Sequence, residues 1–239
     1  MIVETMGIEP TTPSLQRRCS SQLSYVPELG ETILAGGTLV RHGKWRSRTI
    51  LFVTAELEAL ADVVRGRRTN LRMDPNRAVE PEVIEAMCEL ATWAPNHKMT
   101  QPWRFAVCTG ESRATLGRLT ADFQAARGEL NEAKLDKTRG KYLRAPAVVL
   151  VASARVTDPG RWAEDRDAVS AGVQNMLLAA TAAGLASYWG TGAITAAPAV
   201  KELCGFGSDD EIVAAVYLGW PIGVVPTPQR QPAKVRWLG

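Results

Sequence analysis

Three short stretches of this chain hold residues that could do chemistry: Arg67-Arg68-Thr69, the loop APNHKMTQPW from Ala94 to Trp103, and SYWGTGAIT from Ser187 to Thr195. Two guanidiniums and a hydroxyl suit a phosphate-bearing ligand, because arginine offers planar, bidentate donors and cannot lose its charge. Alone, such a pair reads as a solvated helix end favoured by the helix dipole. Asn96 and His97 lie between two prolines. Backbone amides there escape helix and ladder pairing and stay open to a ligand. His97 can donate to a heterocycle or a phosphate; alone it reads as a loop histidine bonded to a nearby carbonyl. Trp93 can line an aromatic cleft, although by itself it reads first as a core residue. In the third stretch Gly190 and Gly192 flank Thr191 and permit close approach of backbone to a ligand.

Common catalytic signatures are missing. SYWGTGAIT is not a G-x-G-x-x-G fingerprint, and there is no phosphate-binding G-x-x-x-x-G-K-[ST] loop. The chain has no H-E-x-x-H, and its two histidines argue against a histidine-rich metal site. No G-x-S-x-G elbow anchors a Ser-His-Asp triad. These absences leave chemistry carried by a cofactor more open than chemistry carried by side chains alone; no catalytic residue and no metal site is assigned.

The elements that must position these stretches follow from periodicity. Thr54 caps a helix with Leu57, Leu60, Ala61 and Val64 on one face and Gly66 as its stop. A second helix starts at Pro81, carries Val83, Ile84, Met87, Leu90 and Ala91 as its stripe, and stops at Ala94, before Pro95. Phe105 to Cys108 is a short strand, Ser112 to Arg127 a helix, and a polar connection follows. Ala147 to Ala154 is a buried strand. Asp167 to Ala183 is a helix apolar on nearly all faces and rich in small residues, which suits a central position close to another backbone. Leu185 to Trp189 and the run from Glu211 are strands. The proline-containing tail from Pro221 is an extended arm. Helices and strands mix without strict βαβ alternation, so the fold class is α+β.

The bulk numbers agree with one large domain carrying an appendage: 239 residues, 46% of them hydrophobic, with a net charge of +3. The basic residues are scattered rather than gathered in the stripe that nucleic acid requires. No apolar run reaches membrane-spanning length. Cys19, Cys88, Cys108 and Cys204 include no CxxC pair. Cys88 and Cys108 sit in apolar runs and read as buried thiols. With no signal-peptide pattern, the expected location is the reduced cytoplasm. Residues 1–52 lack any sustained period and are rich in Pro, Ser, Thr and Gly. They resemble peptides made when an upstream transfer-RNA gene is translated in frame. The segment is expected to be a poorly ordered extension and an artefact of the start site, with translation beginning near Val53; the domain is then 53–239.

In chain order, RRT, APNHKMTQPWRFAV, RAPAVVLV, the small-residue helix, GLASYWGTGAIT and AAVYLGWPIG resemble the flavin-dependent nitroreductase family. The similarity runs from about Glu56 to Pro232 and is closest to a small branch with an APxHK loop and a W-x-[ST]-G turn. The resemblance implies an α+β, nitroreductase-like fold, with a mainly antiparallel central sheet flanked by helices and an intertwined homodimer holding FMN at its interface. By that likeness, Arg67, Arg68 and Thr69 hold the FMN phosphate and ribityl end. Trp189, Gly190 and Thr191 line the ring and phosphate side, Trp93 and His97 reach the flavin bound mainly by the partner chain, and Arg230 adds a phosphate contact.

The implied activity is ping-pong hydride transfer from NADH or NADPH to nitroaromatic, quinone or similar electrophiles. The same fold also fits reductive dehalogenation, flavin fragmentation or a non-catalytic flavin-binding module. Small-branch relatives often carry Arg at the place of Trp93 and Arg or Lys at that of Gly190. Many relatives have Asn where this chain has Met99. These departures bear on FMN affinity and substrate range.

Overall fold

The structure, a computed structural model, describes residues 54–128 and 130–239. The expectations for residues 1–52 and the Val53 start lie outside the described residues. Seven α-helices and four strands run in the order α1 (Ala55–Gly66), α2 (Pro81–Ala91), β1 (Trp103–Cys108), α3 (Glu111–Ala126), α4 (Glu132–Arg139), β2 (Ala147–Ser153), α5 (Pro159–Ala182), β3 (Ala186–Gly190), α6 (Ala193–Ala196), α7 (Pro198–Leu203) and β4 (Glu211–Gly219) among the described residues, with short 3-10 turns at His97–Met99 and Lys141–Arg144. The strands form one sheet, ordered β1-β2-β4-β3, and every neighbouring pair is antiparallel.

Both central strands are apolar on both faces because helices cover both sides. Val149 and Val151 of β2 face a core shared with Ile84 and Met87 of α2 and Val173 and Met176 of α5. Their neighbours Val148, Leu150 and Ala152 face a second core with Leu116 of α3 and Val200 of α7. Period-2 alternation divides one continuous apolar run between the two cores.

The central helix starts earlier than the sequence suggests. It begins at Pro159, where the Asp158 carboxylate accepts the N–H of Arg161 at 2.9 Å. The polar first turns hid this start, since exposed charged residues interrupt the apolar pattern without interrupting the helix. Gly172 is obligatory at the crossing with α2: a Cβ there would stand 2.6 Å from the Ala91 carbonyl oxygen and 2.8 Å from Trp103 Nε1.

Three other expectations need correction. The polar connection after α3 contains α4, which is capped by Asn131 accepting the Lys134 N–H at 3.1 Å. Only Leu135 of α4 is buried, so no stripe announced it. Cys108 is buried as expected, but Cys88 is only half-buried. Finally, α1 forms from its Thr54 cap to Gly66, yet none of its residues is buried, and its stripe of Leu57, Leu60 and Val64 is open to solvent. The tail beyond Pro221 carries no helix or strand, and Val224, Trp237 and Leu238 are exposed. Among the described residues no helix is long and apolar enough to cross a membrane, and no cluster of metal-ligating side chains occurs.

Candidate functional site

The first cluster forms where α1 ends. Arg67 closes the helix, its N–H bonded to the Val63 carbonyl at 3.0 Å, and the chain then extends along the free edge of the sheet. Thr69 makes a parallel bridge with Ser187 of β3, and the Asn70 N–H donates to the Ser187 carbonyl at 2.9 Å. Arg67-Arg68-Thr69 is therefore laid beside the strand that ends in Trp189-Gly190, with Thr191 just beyond. Two stretches 118 positions apart in sequence, counted from Thr69 to Ser187, share one sheet edge.

The two arginines differ. The Arg68 guanidinium donates to the carbonyls of Arg65 and of Arg67, the latter at 3.0 Å, so part of it closes the end of α1. The Arg67 guanidinium has no hydrogen-bond or ion-pair partner among the described residues, and neither arginine faces a carboxylate there. Beside them lies a pocket of about 230 Å³ lined by Gly66, Arg68, Asn70, Thr181, Gly184 and Pro221. A pocket walled by a guanidinium without a counter-charge suits an anionic group.

On β3, Trp189 is half-buried against the α2–α5 core, and its indole N–H is committed to the Val213 carbonyl at 3.3 Å. Gly190 is buried for a packing reason. A Cβ would meet Tyr188 Cε1 at 3.0 Å and Tyr217 Cε2 at 3.1 Å. Tyr188 and Tyr217 are themselves packed edge to face, with ring centroids 5.4 Å apart. Gly192 follows with a φ of +105°, a conformation that glycine adopts without strain and that turns the chain into α6.

The second cluster follows α2, and its loop residues Asn96, His97 and Thr100 meet the other end of α5. Trp93, just past α2, is 75% exposed, and its N–H donates to the Glu89 carboxylate. Its first reading as a core residue fails in the single chain. His97 Nδ1 lies 2.7 Å from Glu164 Oε2, both side chains being largely exposed. Asn96 and Thr100 are anchored on Asp165, which is 1% exposed. Sequence reading missed Glu164 and Asp165. The only available signal was a polar patch at the start of an otherwise apolar helix, some 65 residues beyond the loop it touches.

The two clusters are not brought together within one chain. The first meets α5 at Thr181, the second at Glu164. Seventeen helical steps at 1.5 Å put those anchors about 25 Å apart. Arg230 lies exposed in the tail and joins neither cluster.

Comparison with known proteins gives consistent results. A model of the nitroreductase family matches residues 64–220. A relative from Escherichia coli K12, provisionally named the NAD(P)H nitroreductase YdjA, is 33% identical over 156 residues, covering 63% of this chain and 84% of the relative. The crystal structure of a nitroreductase-like family protein from Bacillus cereus superposes with a TM-score of 0.62 at 28% identity, covering 77% of this chain and 95% of that one. A structure from Desulfovibrio desulfuricans, provisionally described as a nitroreductase in complex with FMN, matches with a TM-score of 0.54 at 26% identity, covering 72% of this chain and 91% of that one.

Proposed function

The chain belongs to the nitroreductase family, and from that premise we propose that it is an FMN-dependent NAD(P)H oxidoreductase. Its electrophilic acceptors are nitroaromatics, quinones or similar compounds, and it works by a ping-pong cycle. One observation carries the reading: the bridge between Thr69 and Ser187 sets two arginines, without carboxylate partners among the described residues, beside the Trp189-Gly190-Thr191 segment. A cationic end along the β3 edge, followed by the turn at Gly192, fits a cofactor with a phosphate at one end and a flat ring at the other. The FMN-bound relative of 26% identity supports the choice of cofactor.

In this reading Arg67, Arg68 and Thr69 hold the phosphate and ribityl end, while Trp189, Gly190 and Thr191 border the ring. When bound there, FMN would supply the redox chemistry that links NADH or NADPH to the acceptor. The protein supplies binding, orientation and fixed donors. Trp93 and His97 serve a second copy of the site. About 25 Å of α5 separates the Glu164 anchor of His97 from the Thr181 end beside the arginines, so His97 reaches the flavin held by a partner chain, and Trp93 joins it there. The open α1 stripe of Leu57, Leu60 and Val64 and the exposed Trp93 are the surfaces a homodimer would cover. Arg230 reaches a phosphate only if the tail folds back onto a site.

The test is direct. Purified protein should be yellow, release FMN on denaturation, bleach with NADH or NADPH under anaerobic conditions, and recover its colour with a nitroaromatic. A colourless protein that binds no added FMN would refute the proposal. Bound flavin that no nicotinamide reduces would leave a binding module instead of an oxidoreductase.

A further inference from the structure

The geometry points to Asp165 as the positioning residue that holds the Asn96–Gln101 loop, and with it His97 and Met99, beside the electron acceptor; this rests on the flavin-enzyme reading above. The loop has an unusual backbone. Lys98, Met99 and Gln101 all have positive φ, at 63°, 52° and 55°, although none is glycine. Side-chain-bearing residues occupy that region at a cost, and three within four positions persist only where surrounding contacts over-determine them.

Those contacts converge on one carboxylate. Asp165 Oδ1 accepts from Asn96 Nδ2 at 3.2 Å and from the Thr100 hydroxyl. Asn96, oriented in this way, donates to Thr100 Oγ1 at 3.0 Å and accepts the Gln101 N–H at 2.9 Å through its own Oδ1. The Asn96 side chain thus spans the left-handed segment like a strut, and Asp165 fixes the strut to α5. A buried ionisable group is costly unless it is well hydrogen-bonded. Asp165 is 1% exposed, and among the described residues its hydrogen bonds are made through Oδ1 alone. The hydrogen bonds that Asp165 does make both run to this loop, so its work is to hold the loop on α5. What the loop then presents is Met99, 71% exposed, and His97 against Glu164, the residue preceding Asp165 on the helix. A single anchor on α5 therefore places both.

The experiment compares wild-type holoprotein with Asp165→Ala and Asp165→Asn. Three quantities are measured: amide hydrogen exchange of residues 96–103 by mass spectrometry, FMN content, and KM and kcat for a nitroaromatic at saturating NADH or NADPH. Asp165→Ala should retain FMN and speed exchange in that segment alone. It should also raise the acceptor KM about tenfold with little change in kcat, the scale of losing one or two buried hydrogen bonds. Asp165→Asn keeps an oxygen able to accept both donors and should restore most of the wild-type KM. If Asp165→Ala does not fold, Thr100→Val, which removes one donor, should show smaller changes of the same kind.

Faster exchange throughout the domain would make Asp165 merely structural and overturn the proposal, as would faster loop exchange with an unchanged KM. A wild-type protein that neither holds FMN nor reduces the nitroaromatic would defeat the flavin reading and the acceptor role with it. The exchange measurement would still decide whether Asp165 holds the loop.

Discussion

Thr69 pairs with Ser187 as a parallel bridge on the outer edge of an otherwise antiparallel sheet. That bridge fixes how Arg67 and Arg68 stand relative to β3, and it gives them different jobs. Arg68 uses one nitrogen on two helix-end carbonyls; Arg67 uses none among the described residues. Arg67→Ala should therefore weaken FMN binding by about 1.5–3 kcal/mol, the range for hydrogen bonds to charged groups, and leave the unfolding midpoint unchanged. Arg68→Ala should lower both, because the last carbonyls of α1 lose their donor. Fluorescence titration with FMN and thermal denaturation of the apoproteins separate the two effects. An Arg67→Ala variant with wild-type affinity would remove this edge as the phosphate site.

Gly172 sets how closely α2 approaches α5, and α2 carries Trp93 just past its end. A methyl group at Gly172 would overlap the Ala91 carbonyl oxygen at 2.6 Å. Backbone cannot swing aside as a flexible side chain can. Gly172→Ala should cost about 3 kcal/mol, the upper part of the range for overpacked cores, despite alanine's better helix propensity. A urea unfolding midpoint equal to that of wild type would show that the two helices can separate without loss.

Cys88 gives a pH dependence with a definite sign. Burial, reinforced by the Glu85 charge, pushes its thiol from an ordinary 9.0 up to about 11. Between those values the folded state keeps a proton that the unfolded state has lost. Stability due to this group is therefore complete below pH 9 and declines as pH rises toward 11. Urea midpoints taken from pH 8 to 10.5 should fall more steeply for wild type than for Cys88→Ala. Alkylation of Cys88 should be slow at pH 8 and accelerate toward pH 11, since the thiolate is the nucleophile. Equal slopes for the two proteins would count against the burial argument.

The fold was largely legible in the sequence because its strongest signals are local. The β2 run is uniformly apolar, Thr54 and Pro81 mark helix starts, and Gly66 marks a stop. What escaped was held by contacts between distant residues or by very short elements. Leu135 alone could not announce α4, and the charged turn around Asp165 concealed the start of α5. At the site, residue types revealed the arginines and the glycine turn, but only the Thr69–Ser187 bridge joins them. The Asn96–Asp165 contact spans 69 positions, so no spacing rule reaches it. Gly190 reads in sequence as an opening for a ligand, yet the structure adds that Tyr188 and Tyr217 already occupy the space its side chain would need.

The proposed dimer makes a prediction that no single-chain site can satisfy. If each flavin is held by the arginine edge of one protomer and met by His97 of the other, Arg67→Ala and His97→Ala damage different halves of each site. A symmetric dimer of either variant has both sites impaired. In a mixed dimer, one site combines both defects. The other combines an intact Arg67 from one chain with an intact His97 from its partner. Random mixing of equal amounts makes about half the dimers mixed, so about one quarter of all sites should be intact. Co-expressed variants with different affinity tags, purified through both tags in turn, should show nitroaromatic reduction approaching half the wild-type rate per dimer, while each variant alone stays low. The separation of the Thr181 and Glu164 anchors along α5 is the physical reason to expect recovery. Doubly tagged dimers no more active than the parent variants would place Arg67 and His97 in the same protomer's site, and the α5 spacing would then have been misread.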